Sequence, residues 1–232
     1  MFLSCERDNP KIRKSDSNRF EIENRSTSLD SSGIIHNEIL DEIASNGYFG
    51  MTDSAMFSIV SEYYYQKTGL NLPDSLEYYS FPDDTSFEGI ADRYEGIPEA
   101  EIVYLIRLDS ILAHSTSVSS FYQNLNDFQD DVDNDTDTTI SKLGLIGTAS
   151  VLEYSTSYWA NVANDTSHIM LDIYTDPPTP TELICWSCIP GSVWADAFAY
   201  ADTYNNFYYG YQTTAEEADD KASAAAAYAS AK

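Results

Sequence analysis

Alternating aspartates between residues 130 and 137 form the densest run of possible metal ligands in the chain. Carboxylate oxygens are the ligands that Ca²⁺ prefers. An EF-hand loop also needs a glycine at its sixth position and a glutamate at its twelfth, and neither residue is in place when the loop is counted from Asp131 or from Asp133. The segment therefore predicts a solvated acidic turn between helices. The alternative is a calcium site formed by Asp131, Asp133, Asp135 and Asp137.

The histidines are few, and only His36 lies beside other polar groups near the start of a predicted helix. We interpret it as a helix histidine, with a place in a recognition surface or a catalytic site as the alternative. The chain has no nucleophile elbow, zincin motif, P-loop or dinucleotide fingerprint. Acidic pairs are too common here to identify a glycosidase. The sequence predicts no catalytic residue and favours a non-enzymatic role.

The three cysteines divide into one isolated residue and one C-x-x-C pair. Cys185 and Cys188 predict a local disulfide, with unpaired thiols, a redox pair or a metal site as alternatives. Redox chemistry of this motif is usually set in a βαβ unit, and a zinc site needs two further ligands. Cys5 follows Met-Phe-Leu-Ser, which is typical of the end of a lipoprotein signal. We predict a lipid on Cys5, the alternative being that the match is incidental.

Charge limits the classes of partner. The 232 residues carry a formal net charge of −26, which repels phosphate backbones and anionic lipid surfaces. Nucleic acid is therefore excluded as a partner. No apolar run reaches the 18 residues that a membrane-spanning helix needs. We accordingly predict contact with a membrane only through a lipid on Cys5. The acidity itself is typical of an exposed or secreted protein.

The elements that would hold these groups are predicted to be helices around one long, nearly buried helix at about 138–164. Apolar side chains cover most of its circumference, which is typical of a helix inside a bundle. Gly144, Gly147 and Ser155 lie near one another on one side, where a second helix could approach closely. The segment at 130–137 would form the turn before this helix.

The remaining pattern predicts an all-α fold, an antiparallel multi-helix bundle with a disordered N-terminal tail. We divide the chain into an anchor and flexible tether (1–32), a helical domain (33–211) and an Ala-rich C-terminal tail, helical or frayed (212–232). Residues 70–96 predict an ordered loop or short helical turns. The aromatic residues there either form a recognition surface or fill gaps in the bundle; they are Tyr78, Tyr79, Phe81, Phe87 and Tyr94.

Three segments and the Leu-Ser-Cys box carry a resemblance to a family. They are residues 33–41 around His36, residues 149–159 with Tyr154 and Trp159, and the Ala-Asp-Ala at 195–197. Together they resemble uncharacterised secreted lipoproteins of Bacteroidota-type bacteria. The resemblance implies a polar tether followed by helices, and it implies no activity.

These observations predict a cell-surface, outer-membrane or secreted lipoprotein that binds a protein or glycan partner without catalysing a reaction, or that serves as a structural helical domain. The alternative is a calcium-dependent binder or hydrolase that uses the acidic turn at 130–137 and the aromatic loop at 70–96. No cofactor is predicted apart from calcium in that alternative.

Overall fold

The computed structural model describes residues 31–46, 52–69, 71–72, 86–164 and 190–231. Within these ranges the chain is helical and contains no β-strand, which confirms the predicted all-α fold. A π-helical turn (Asn206–Gly210) directly follows the seventh helix. In chain order the helices are α1 (Ser31–Ser45), α2 (Asp53–Thr68), α3 (Phe87–Arg93), α4 (Glu99–His114), α5 (Val118–Asn134), α6 (Lys142–Asn164), α7 (Pro190–Asn205) and α8 (Ala215–Ala231).

The central helix predicted from the sequence is α6, and its burial confirms the prediction. It packs against α1, α4, α5, α7 and α8. It begins at Lys142 rather than at about 138, because residues 138–141 form the turn that leads into it. Even its polar residues Ser150 and Ser157 are buried, because neighbouring helices surround α6 on several sides.

Two glycines of α6 pack against large side chains of α7. This is the close approach of a second helix that the glycine pattern predicted. A methyl group at Gly144 would lie 2.4 Å from Cε1 of Tyr204, and one at Gly147 would lie 2.0 Å from the Tyr200 hydroxyl. Real Cβ atoms do not approach other atoms so closely, so only glycine fits at either position. Higher residue numbers on α6 meet lower ones on α7, and the two helices are therefore antiparallel. α1 runs beside α6 in the same direction, with Gly33 near Ser150 and Asn37 near Tyr154.

Local signals set several of the helix ends. The Ser117 side chain accepts a hydrogen bond from the Ser120 backbone N–H and begins α5 with a capping box. Thr52 caps α2, and Gly69 ends it in the left-handed conformation, at φ 73°, that glycine adopts without strain. None of the described helices has the length and apolarity needed to cross a membrane.

The C-terminal helix corrects an expectation. We expected the last dozen residues of the Ala-rich tail to fray or pack weakly, because alanine buries little apolar surface. Instead α8 packs against α1, α2, α6 and α7. Its small side chains let these helices approach closely, so alanine becomes a core residue; the buried members are Ala218, Ala222, Ala224, Ala225, Ala226 and Ala227.

Two further boundaries differ from the prediction. The predicted acidic turn at 130–137 is helical up to Asn134, because Val132 packs inward and extends α5 through the first aspartates. The predicted tether at 1–32 ends earlier, since Ser31 and Ser32 already belong to α1 and Ser32 is buried. Residues 1–30 lie outside the described residues.

Replacing Gly147 by alanine tests the α6–α7 contact. The new methyl group would displace the Tyr200 ring, so we expect the free energy of unfolding to fall by about 1–3 kcal/mol. A gain in helix propensity of about 1 kcal/mol offsets part of this loss. Urea unfolding followed by circular dichroism measures the change.

Gly210→Ala is the matched control, because its methyl group would meet only the flexible Asn206 side chain, at 3.2 Å. The control should change the stability by less than about 0.5 kcal/mol. A G147A variant that is about 1 kcal/mol more stable than the wild type, the gain expected from helix propensity alone, would contradict the close approach of the two helices.

Candidate functional site

His36, the histidine singled out from the sequence, lies in the protein core. Its side chain is fully buried, and its Nε2 lies 3.3 Å from Oδ2 of Asp196 on α7. Its Nδ1 is 2.9 Å from the side-chain oxygen of the adjacent Asn37. The alternative of a recognition-surface role for His36 is therefore wrong. The turn of α1 that carries His36 faces Asp196 of α7 inside the bundle.

Asp196 gathers donors from a second helix as well. Ser155 Oγ on α6 donates a short hydrogen bond to Asp196 Oδ2, and Trp159 Nε1 donates to the same oxygen at 3.1 Å. Asp196 and Ser155 are 0% exposed. The three internal segments that carried the family resemblance thus meet at one carboxylate. The sequence contained these residues but gave no sign that they are neighbours.

Serine, histidine and aspartate also make up the triad of many hydrolases, but the order of contacts here differs. In a triad the serine donates to the histidine, which abstracts its proton. Here the serine donates to the aspartate instead, and all three side chains are closed off from solvent. This arrangement positions α1, α6 and α7 relative to one another. It has no nucleophile–base pair that a substrate could reach.

A second buried carboxylate links α1, α7 and α8. Asp219 Oδ1 accepts hydrogen bonds from Ser32 Oγ, at 2.6 Å, and from the Tyr200 hydroxyl. Burial raises the pKa of the Asp219 carboxyl, although both hydrogen bonds act in the opposite direction. Burial likewise raises the pKa of Tyr200. The contact places the N-terminal and C-terminal helices side by side.

A third buried carboxylate belongs to Glu101 on α4, which is 1% exposed. Its Oε2 accepts hydrogen bonds from the Ser141 backbone N–H at 2.6 Å and from the Tyr209 hydroxyl of the π-helical turn at 2.7 Å. Burial raises the pKa of Glu101 to about 7, and the two hydrogen bonds counter only part of this effect. The carboxyl group consequently titrates near neutral pH.

The four aspartates of the predicted calcium site are engaged separately. Asp131 Oδ2 binds Arg107 at 2.7 Å. Asp135 Oδ2 accepts the Tyr104 hydroxyl at 2.7 Å, and Asp135 Oδ1 accepts the Asp137 N–H at 2.8 Å. The Asp137 carboxylate accepts the hydroxyl and N–H of Thr139, and the hydroxyl bond is the main cause that lowers the pKa of Asp137.

The side chain of the fourth aspartate, Asp133, is exposed on α5. Over the described residues, no group of three or more histidine, cysteine, aspartate or glutamate side chains is arranged to hold a metal ion. Calcium binding at residues 131–137 stays a prediction.

The aromatic residues of the predicted recognition loop are only partly described. Phe87 is fully buried against Phe198 of α7, with ring centroids 6.2 Å apart. Of the two alternatives for this residue, it therefore fills a gap in the bundle and does not belong to a recognition surface. The helical turn α3 directs it inward. Tyr94 is half-buried, and its hydroxyl donates to Asp202 at 3.1 Å. Tyr78, Tyr79 and Phe81 lie outside the described residues, as do Cys5, Cys185 and Cys188.

The exposed surface of α4 is a feature that the sequence analysis missed. Its two large aliphatic side chains are Val103, which is 61% exposed, and Ile106, which is 41% exposed. The inward face of α4 includes Leu105, Leu108 and Ile111. A count of 3.6 residues per turn from Leu108 would have placed Val103 and Ile106 on the opposite side.

An open, shallow depression continues from this surface. It is lined by Pro98, Glu99, Ala100, Val103, Asp137 and Thr139. The exposed apolar residues of α4 therefore adjoin the segment of alternating aspartates. Comparison with protein-family models, with curated proteins and with solved structures finds no match for this chain.

Removing the Asp196 carboxylate should destabilise the protein strongly. In an Asp196→Ala variant, Ser155 and Trp159 lose their shared acceptor, and His36 loses its neighbour. Each buried polar group that loses its partner costs about 1–3 kcal/mol, so we expect a total loss of several kcal/mol. Urea unfolding monitored by tryptophan fluorescence measures it.

Asp133→Ala provides the control, since it removes an exposed carboxylate. It should change the free energy of unfolding by less than about 0.5 kcal/mol. If D196A and D133A were equally stable, Asp196 would not hold the three helices together.

Glu101 predicts a pH dependence of stability. Because its folded pKa of about 7 lies above the ordinary value of 4.5, the folded protein binds a proton more tightly than the unfolded chain does. The contribution of the Glu101 carboxyl to the free energy of unfolding is largest below about pH 4.5 and is lost as the pH rises to about 7. Over this pH interval, the free energy of unfolding of the wild type should fall by up to about 3 kcal/mol relative to that of the Glu101→Gln variant.

Unfolding curves of the two proteins at several pH values between these limits give the difference directly. Glu99→Gln, an exposed position on the same helix, should follow the wild type at every pH. A constant difference between the wild type and E101Q would show that the Glu101 carboxyl does not titrate in this range.

Proposed function

We propose that this protein is a non-enzymatic helical domain that binds a macromolecular partner at the surface of α4. In this proposal the domain is secreted or held at the cell surface, and a lipid on Cys5 attaches it to the membrane. Residues 6–30, polar and charged, act as the spacer between the lipid and α1. The exposed apolar stripe of α4 is the observation that carries the proposal.

The stripe repeats with the period of a helix–helix contact. Five residues of α4 are all exposed and follow one another at intervals of four and three residues: Glu99, Val103, Ile106, Ser110 and Ala113. The apolar members of this stripe are Val103, Ile106 and Ala113. Such spacing is the pattern of residues through which one helix packs against another. Among the described residues, large hydrophobic side chains are exposed at only five positions, and two of them are Val103 and Ile106. Their position as neighbours on one helix favours a binding surface.

The buried polar groups support a binding role because their interactions serve the fold. Asp196, Asp219 and Glu101 each connect helices or turns that are distant in the sequence. Their donors are side chains and backbone groups of the same chain. Chemistry at these positions would compete with the contacts that stabilise the bundle.

A photo-crosslinking residue at position 103 tests the proposal in cells that produce the full-length protein. We expect a discrete crosslinked product from position 103, because a bound partner would cover that side chain. Tyr65, 51% exposed on α2, is the control position and should give no such product. Tagged protein and gel mobility report the outcome.

Excess unlabelled wild-type protein should suppress the product, whereas an excess of a V103S/I106S variant should not. Equal products from both positions, or none from position 103, would overturn the proposal. In the same cells, Cys5→Ala should move the protein from the membrane fraction to the soluble fraction. Unchanged fractionation would remove the lipid anchor from the proposal and leave the binding surface in place.

A further inference from the structure

Carboxylates border the α4 stripe on both sides. Tyr104 and Arg107 of α4 contact Asp135 and Asp131, which places α5 along one edge of the stripe. Asp109 lies on the opposite side of α4 and accepts hydrogen bonds from the first backbone N–H groups of α3, at 3.1 Å. On a helix of 3.6 residues per turn, the exposed stripe falls between these two sides. It is therefore a shallow apolar band between α3 and α5.

Both flanking helices expose acidic side chains. Exposed carboxylates on the α3 side are Glu88, Asp92 and Glu95, and those on α5 are Asp127, Asp130, Asp131 and Asp133. Between residues 86 and 139 the only basic residues besides His114 are Arg93 and Arg107. Arg93 pairs with Asp202 at 2.9 Å, and Arg107 pairs with Asp131 at 2.7 Å. The carboxylates around the stripe thus greatly outnumber the cations.

We propose that the α4 stripe binds a cationic amphipathic helix of a protein partner, an inference that rests on the proposed function. An apolar face of the partner helix, with side chains repeating every three or four residues, packs on Val103 and Ile106. Lysines and arginines on both borders of that face meet the carboxylates of α3 and α5. Helix-in-groove recognition of this kind uses apolar anchors for packing and flanking charges for orientation and steering.

Charge argues against two other occupants. A second copy of this chain also carries a formal net charge of −26 and would place acidic borders against acidic borders. An anionic membrane surface would be repelled in the same way. A partner with a basic, amphipathic helix satisfies both the apolar stripe and its borders.

Synthetic peptides test the inference against the full-length protein. The probe is a fluorescent Leu/Lys peptide whose leucines repeat every three or four residues, so that they form one face of a helix. A scrambled peptide of the same composition keeps the charge but has no apolar face, and a Leu/Glu peptide keeps the face but reverses the charge. Fluorescence anisotropy at physiological ionic strength gives the dissociation constants.

We expect the amphipathic Leu/Lys peptide to bind at least about tenfold more tightly than the scrambled one. The V103S/I106S variant should lose this preference, while Tyr65→Ser should retain it. Added salt should weaken binding because the borders contribute electrostatically. Circular dichroism confirms that the variants fold, as expected for substitutions at exposed positions.

Equal binding of the ordered and scrambled peptides would show only general attraction to an acidic protein and would overturn the inference. Equal binding of the Leu/Glu peptide would remove the role of the carboxylates and overturn it as well. So would a dimer, detected by sedimentation, that V103S/I106S dissociates. If position 103 crosslinks a partner in cells and the peptides show no preference, the proposed function stands and this inference fails.

Discussion

The fold depends on a carboxylate that sits where no solvent reaches it. Asp196 is buried in the bundle, where it contacts a histidine of α1 and a serine and a tryptophan of α6. A buried carboxylate without such neighbours would cost several kcal/mol. These polar contacts are made only in one register, and the packing of Tyr200 on Gly147 and of Tyr204 on Gly144 favours the same register of α6 and α7. The contacts of Asp196 therefore help to fix the axial register of α1, α6 and α7 relative to one another.

The same principle recurs at the edges of the bundle. Asp219 connects α1, α7 and α8, and Glu101 connects α4 with the turn before α6 and with the π-helical turn. Asp202 of α7 binds Arg93 and Tyr94 at the end of α3. Each acidic side chain lies on one element and its donors come from others. Arg93 is the one arginine among these partners, and the other donors to the buried carboxylates are mainly tyrosine and serine hydroxyls and a backbone N–H group.

Local signals were sufficient for the helices and insufficient for the site. The glycines at 144 and 147 predicted a close helix neighbour, because the period of the helix over one turn is enough to place them on the same side. The Ser32–Asp219 contact joins residues 187 positions apart, and no period or motif encodes such a pairing. For the same reason the sequence left open whether His36 and Phe87 belong to a surface: their burial depends on which helices cover them. Hydrophobicity alone would place Ile106 in the core, whereas its position on the helix relative to Leu105 and Leu108 places it at the surface.

The alanines of α8 have a consequence for how the chain closes its bundle. Large side chains lose rotamer freedom when they are buried, whereas alanine has none to lose. Docking of the alanines of α8 therefore adds no side-chain cost to the entropic penalty of ordering the backbone, which is about 1–2 kcal/mol per residue. An alanine surface has few protruding side chains that could interlock with the neighbouring helices. The orientation of α8 therefore depends more on the contacts of Asp219 and Tyr228 than on interlocking side chains. A helix whose buried residues are mostly alanine thus loses little side-chain entropy on docking, and only a few specific contacts determine its orientation.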